Sequence, residues 1–265
     1  MSPQVNSCRK QGRSGMTLIE LIVCVAIVAI LTSLAFQFST RMRNTGQATA
    51  TLSNLRVVAQ SALLMASENN GIIDLHESER GEFKRFATLQ RLLFDNGYLE
   101  NREVFFSAQF DPNVLDPFMG TGTEGGWVWR TMGLVRDPSS NPGHFSPPAP
   151  NGVSGVGGST SGIALRLSTL ENPGNFPLVV DSSHRPPSGQ GVDTVHNSWS
   201  AWFSGGNSSH KPVMRDNQTL LMAFADGHVE AANRQRVSRI VAENFNVGGA
   251  TVMGATGQMI PIPIP

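Results

Sequence analysis

Four histidines and four aspartates between residues 181 and 228 of this 265-residue chain could do metal chemistry: His184, His196, His210 and His228, with Asp181, Asp193, Asp216 and Asp226. Zinc sites of the local kind space their ligands as HxH, HExxH or CxxC, and none of these occurs. Calcium takes six to eight oxygens, with carboxylates close in sequence. Neither "DNQT" nor "ADGH" forms an EF-hand loop, so calcium near Asp226-Gly227-His228 is the metal alternative to a plain hairpin turn. In the turn reading, Asp226 hydrogen-bonds the backbone and Gly227 takes a positive φ. Asp181, Ser182, Ser183 and His184 are hydrolase residue types, but neighbours on an extended segment point to opposite faces and cannot form a triad among themselves. No GxSxG or Walker loop is present, no GxGxxG opens a helix after a strand, and "GVGGSTSG" lacks the lysine a phosphate loop needs. The expectation is a chain with no catalytic residues and no cofactor.

Glu20 poses a different problem. It sits inside the apolar run Leu18–Phe38, whose other polar members are Thr32, Ser33 and Gln37. A carboxylate at a bilayer centre costs at least about 2.5–3.5 kcal/mol on insertion scales, so it needs a partner or a route to water. Lying in the first turns of the helix, it could snorkel toward the headgroups. It could also pair with a cation, since a buried charge is tolerable when paired and hydrogen-bonded.

The element that positions Glu20 is long. At about 1.5 Å per residue, Leu18–Phe38 reaches roughly 31 Å, enough to cross a bilayer core. Arg9, Lys10 and Arg13 precede it with no acid among residues 1–15, which places the N-terminal end in the cytoplasm by the positive-inside rule. A secretory signal peptide is the rival reading, with a weak cleavage site at Ser33-Leu34-Ala35, but Glu20 at the head of the apolar region fits it poorly.

Gly15 followed by "MTLIELIV" resembles the N-terminus of type IV pilins and type II secretion pseudopilins. The resemblance implies a basic leader ending in Gly15 and cleavage at Gly15–Met16 by a prepilin peptidase that then methylates Met16. Phe is the usual first residue, and Met16 departs from it; Glu20 is the expected fifth mature residue. The resemblance also implies that the Glu20 carboxylate meets the freed ammonium of a neighbouring subunit, which makes it a register check during assembly.

No proline occurs between Met16 and Pro112, and the first glycine after Met16 is Gly46. Leu52, Leu55, Ala59, Ala62, Leu63 and Ala66 recur at helical spacing, and Asn69-Asn70-Gly71 is a stop signal. The pattern predicts one helix from Met16 to about Glu68, apolar all round in its first half and amphipathic in its second, with a bend near Asn44–Gly46. A short helix is predicted from about Glu82 to Asp95. Strands are predicted at 127–135, 162–167 and 176–183, with a hairpin over 219–232. The Pro/Gly/Ser-rich stretch 137–162 reads as a long loop. These elements predict an antiparallel sheet of four or five strands packed on the amphipathic half-helix.

Two further segments resemble pseudopilin-like proteins of the planctomycete–verrucomicrobial type. In "YLENREVFFSAQFDP", Ser107 stands where that group often has Cys. "FADGHVE" (Phe224–Glu230) resembles the end of a motif of His, nine residues and Asp-Gly. Here fifteen residues lie between His210 and Asp226, and Asp216 occupies the position with nine residues between, so an insertion around Pro212–Asn217 is needed to align His210.

Composition narrows the rest. Net charge is zero, and the chain beyond residue 15 holds 20 − 3 = 17 bases against 20 acids. No basic patch suited to nucleic acid is visible. The only two cysteines, Cys8 and Cys24, lie in the leader and the apolar run, so ordinary core burial must hold the rest together.

The sequence therefore predicts an α+β, pilin-like chain: leader 1–15, a transmembrane or filament-core half-helix 16–38, and a periplasmic domain 39–265 that includes the amphipathic half-helix 39–68. The resemblance implies a filament or pseudopilus subunit of the inner membrane whose partners are the prepilin peptidase, other pilin subunits, the assembly machinery and the bilayer. The alternative is an anchored, non-polymerising ligand- or carbohydrate-binding protein that uses Trp127, Trp129, Trp199 and Trp202.

Overall fold

The computed structural model describes residues 17–74, 89–105, 107–108, 132–135, 164–184, 196–197, 200–201, 203, 210–245, 247, 249–254 and 257–264. Helix α1 runs from Leu18 to Glu68, and helical backbone continues without interruption through Asn44–Gly46, where the sequence suggests a bend. The chain divides into two compact units between Thr45 and Gly46. In the first, apolar side chains from Leu18 to Phe38 are exposed all round the helix. Two hydroxyls within the apolar run are satisfied by the helix itself: Thr32 donates to the Val28 carbonyl at 2.8 Å and Ser33 to that of Ile30 at 2.9 Å. Back-bonding of this kind removes the cost of placing a hydroxyl where water is scarce.

In the second unit, α1 ends as the sequence predicts. Asn70 and Gly71 take left-handed conformations, and the Gly71 N–H reaches the Ala66 carbonyl at 2.8 Å. Leu55, Ala59, Ala62 and Ala66 are buried in the core and Leu52 and Leu63 pack at its border, as the helical spacing predicts. Val58 and Met65 are buried as well, so the apolar stripe is wider than expected. Helix α2 spans Leu89–Asp95, the second half of the predicted 82–95 helix, and residues 75–88 lie outside the described set.

Strands β1 (Ile72–Asp74), β2 (Met132–Val135), β3 (Ala164–Arg166), β4 (Pro177–His184), β5 (His196–Asn197), β6 (Ser200–Ala201), β7 (His210–Met214), β8 (Thr219–Phe224) and β9 (Val229–Asn233) precede helix α3 (Arg234–Asn244). The hairpin of β10 (Ala250–Gly254) and β11 (Met259–Ile262) follows it. The expected sheet of four or five strands is too small: nine strands among the described residues form one sheet, with the path β11-β10-β7-β4-β2-β6. It is mostly antiparallel, but β10 runs parallel to β7 and β2 parallel to β6. The segment predicted at 162–167 belongs elsewhere, because β3 pairs with β1 in a separate two-stranded sheet. Of the predicted strand 127–135, only 132–135 is described, and the long loop 137–162 lies outside the described residues.

Strand β4 organises the large sheet. Its first half lies between β2 and β8, and its last residues lie between β5 and β7. Leu178, Val179 and Val180 are fully buried, and Phe176, Phe203 and Phe245 pack ring on ring beside them, with centroids 5.9 and 5.4 Å apart for the two Phe245 pairs.

Candidate functional site

Glu20 stands at the third position of α1 and closes the first turn. The Thr17 N–H and hydroxyl both donate to Glu20 Oε2 at 2.8 Å, and the Glu20 N–H returns to Thr17 Oγ1 at 3.4 Å. This is a capping box, in which a threonine and a glutamate three residues apart satisfy each other and two donors left open by the helix start. The sequence contains the T-x-x-E signature, yet the apolar surroundings drew attention to the charge alone. Glu20 therefore has a structural task within its own helix, carried by Oε2. Gly15 and Met16, the residues of the expected cleavage, lie outside the described residues.

Asp226, Gly227 and His228 form the turn between β8 and β9. The Gly227 N–H donates to the Phe224 carbonyl at 2.9 Å, and the Phe224 N–H to that of His228 at 2.9 Å. Gly227 has φ +89°, and a Cβ there would lie 3.4 Å from Leu63 Cδ1, so the turn sits directly against α1. The Asp226 carboxylate receives the His228 N–H at 3.0 Å and contacts its ring Nδ1 at 2.6 Å. Burial pushes the Asp226 pKa up, but the hydrogen bonds from the His228 backbone and ring, with its charge, outweigh this and leave it below the ordinary value. The His228 ring stacks on Phe224, with centroids 4.2 Å apart and planes 4° apart.

This turn is stitched to α3. The Arg236 guanidinium lies 5.8 Å from the Phe224 ring, pairs with Glu230 at 3.2 Å and donates to Asn175 Oδ1 at 3.0 Å. Asn175 in turn donates to Glu243 at 2.8 Å. Each group here is taken up by a neighbour in the fold, so the arrangement is that of a packed corner.

The structure separates His210 from Asp226. His210 opens β7 opposite His184, whereas Phe224, two residues before Asp226, lies opposite Pro177. His184 and Pro177 are seven residues apart on β4, roughly 23 Å of strand at about 3.3 Å per residue. The insertion inferred around Pro212–Asn217 is strand up to Met214 and then a turn that leads into β8. Asp216 caps that turn, accepting from the Gln218 and Thr219 N–H groups at 2.8 and 2.6 Å.

Asp181 is taken up by an ion pair. It is buried and receives Arg215 Nε and Nη2 at 2.7 Å each, a fork-to-fork ion pair across the sheet. Sequence reading missed the pair because its members lie 34 residues apart. Ser107, in the position of the family's cysteine, is buried with its hydroxyl 3.2 Å from that of Thr51. Among the described residues no group of three or more His, Cys, Asp or Glu is assembled to hold a metal ion. Asp193, Trp127, Trp129, Trp199 and Trp202 lie outside the described residues.

The chain matches the family described as "Prokaryotic N-terminal methylation motif" over residues 10–36. No curated protein and no solved structure matches it. The motif and the α+β fold support a type IV pilin- or pseudopilin-like protein. The matched residues include the start of a helix long and apolar enough to cross a membrane, whose apolar window is 0% buried, unlike the core helix of a soluble domain. Together they support a single-pass inner-membrane anchor.

Proposed function

We propose that this pilin-like chain is a structural subunit of a type IV pilus-like filament or type II secretion pseudopilus. Prepilin peptidase cuts Gly15–Met16 and methylates Met16, and α1 then moves from the bilayer into a helix-packed filament core. Residues beyond the membrane half face the periplasm, with the basic leader on the cytoplasmic side. The chain does no chemistry of its own; the reaction belongs to the peptidase. The observation that carries this reading is the methylation motif laid over an exposed apolar helix with Glu20 in its first turn. A wholly exposed apolar surface needs lipid or other helices to cover it.

The capping box sharpens the test of Glu20. Glutamine also serves at this position of a capping box, whereas alanine does not. Glu20→Gln keeps the helix start and removes the charge, and Glu20→Ala removes both. If pairing with a neighbour's ammonium drives assembly, both variants insert in the membrane and both fail to enter filaments, read by cross-linking and microscopy. Normal incorporation of Glu20→Gln, with failure of Glu20→Ala alone, would show that the cap is the only function of Glu20.

A further inference from the structure

Isoleucine and proline alternate strictly over residues 260–264. Alternation fits a strand, but a proline removes a ladder donor and is tolerated only where that donor would face away from the sheet. Strand β11 is an outer member of the large sheet. It pairs antiparallel with β10, and among the described residues no strand pairs with its other edge. We propose that β11 is a one-sided strand, whose prolines close that outer edge to strand addition by a second copy of this chain.

The register decides which way each donor points. In an antiparallel pair, successive residues turn their N–H and C=O groups alternately toward the partner strand and away from it. Val252 stands opposite Ile260, Thr251 opposite Pro261 and Ala250 opposite Ile262. The Gly254 N–H donates to the Gln258 carbonyl at 2.8 Å, so these two residues face each other across the hairpin. Counting by twos from there, Val252–Ile260 and Ala250–Ile262 are hydrogen-bonded pairs and Thr251–Pro261 is not. A second bond agrees independently: the Thr251 N–H donates away from β11, to the Phe203 carbonyl at 3.1 Å. Residue 261, and residue 263 one pleat further on, therefore turn their backbone polar groups outward. These are the two places where proline supplies no N–H.

Side chains and acceptors follow the same division. Ile260 and Ile262 are buried in the core, while Pro261 and Pro263 are exposed. The Ser238 hydroxyl of α3 donates to the Pro263 carbonyl. An incoming strand thus meets no donor at 261 or 263, and at 263 an acceptor already occupied. An open sheet edge is a template for edge-to-edge pairing, and proline is one of the means of blunting it. Copies of this chain packed side by side must then meet without strand pairing at β11. Closure of this edge belongs to the second unit alone and does not depend on whether the chain enters filaments.

The test restores the donors without adding apolar surface. Pro261→Thr/Pro263→Thr is made in the full chain in detergent micelles and compared with the parent by sedimentation over a range of concentrations and by amide exchange. In the dilute, unassociated variant, the amides restored at 261 and 263 should exchange freely, while those of Ile260 and Ile262 are protected. On concentration, the variant should associate at least about tenfold more tightly than the parent, the gain expected of one or two recovered hydrogen bonds. The two restored amides should then become protected. Protection of those amides in the dilute chain overturns the inference, as does association no tighter than the parent's. Where the double variant loses its circular dichroism, the two single variants carry both readings. Unfolding of both singles as well would mean that these positions face the ladder, which also overturns it.

Discussion

Replacing Arg215 by methionine probes the centre of the sheet. The side chain keeps its length and apolar stem, so the perturbation is the loss of two 2.7 Å charge-assisted hydrogen bonds. Asp181 is then left buried without its guanidinium partner. Breaking a buried pair from one side costs about 3–5 kcal/mol, because the remaining charge stays desolvated. The unit that must unfold is 265 − 45 = 220 residues long, and for domains of this size 1 kcal/mol shifts Tm by about 2–4 °C. Arg215→Met should therefore lower Tm by roughly 6–20 °C in thermal circular dichroism of the full chain in micelles. The double variant Asp181→Leu/Arg215→Met, apolar on both sides, should recover most of that loss, since buried pairs can often be replaced as a unit. A single variant within about 2 °C of the parent would refute the reasoning, and so would a double variant less stable than the single.

Gly227→Ala forces a Cβ into a left-handed position and against Leu63. A loss of about 1–3 kcal/mol is expected in chemical denaturation, and an unchanged midpoint would contradict the seating of this turn on α1. Because the Asp226 pKa is depressed in the folded chain, its carboxylate adds stability above the unfolded value of about 3.9, which is lost as pH falls through the folded value. The stability gap between the parent and Asp226→Asn should thus narrow on acidification below about pH 4, and a gap that stays constant there would rule this out.

What the sequence made legible is what is coded locally. The extent of α1 follows from the absence of proline and the Asn69-Asn70-Gly71 stop, and the β8–β9 hairpin from two apolar runs flanking Asp226-Gly227. The strand at 176–183 was also visible, although β4 continues to His184 through Ser182 and Ser183, residue types that usually mark a turn. Helix α3 was readable in principle. Asn233 caps it by accepting the Arg236 N–H at 2.9 Å, and Val237, Ile240 and Val241 follow at helical spacing. Strand β11 contains Pro261, and its place at the end of the sheet makes one missing donor cost little. The parallel pairings and the Asp181–Arg215 bond depend on which strands become neighbours. No local spacing encodes that choice.

The claim that this chain is a processed pilin-like subunit is tested most directly by mass spectrometry of its mature N-terminus in a host with an active prepilin peptidase. A chain beginning at a methylated Met16 is the expected result. A chain that keeps its leader, or one cut beyond Leu31 as a secretory signal peptide would be, would contradict it.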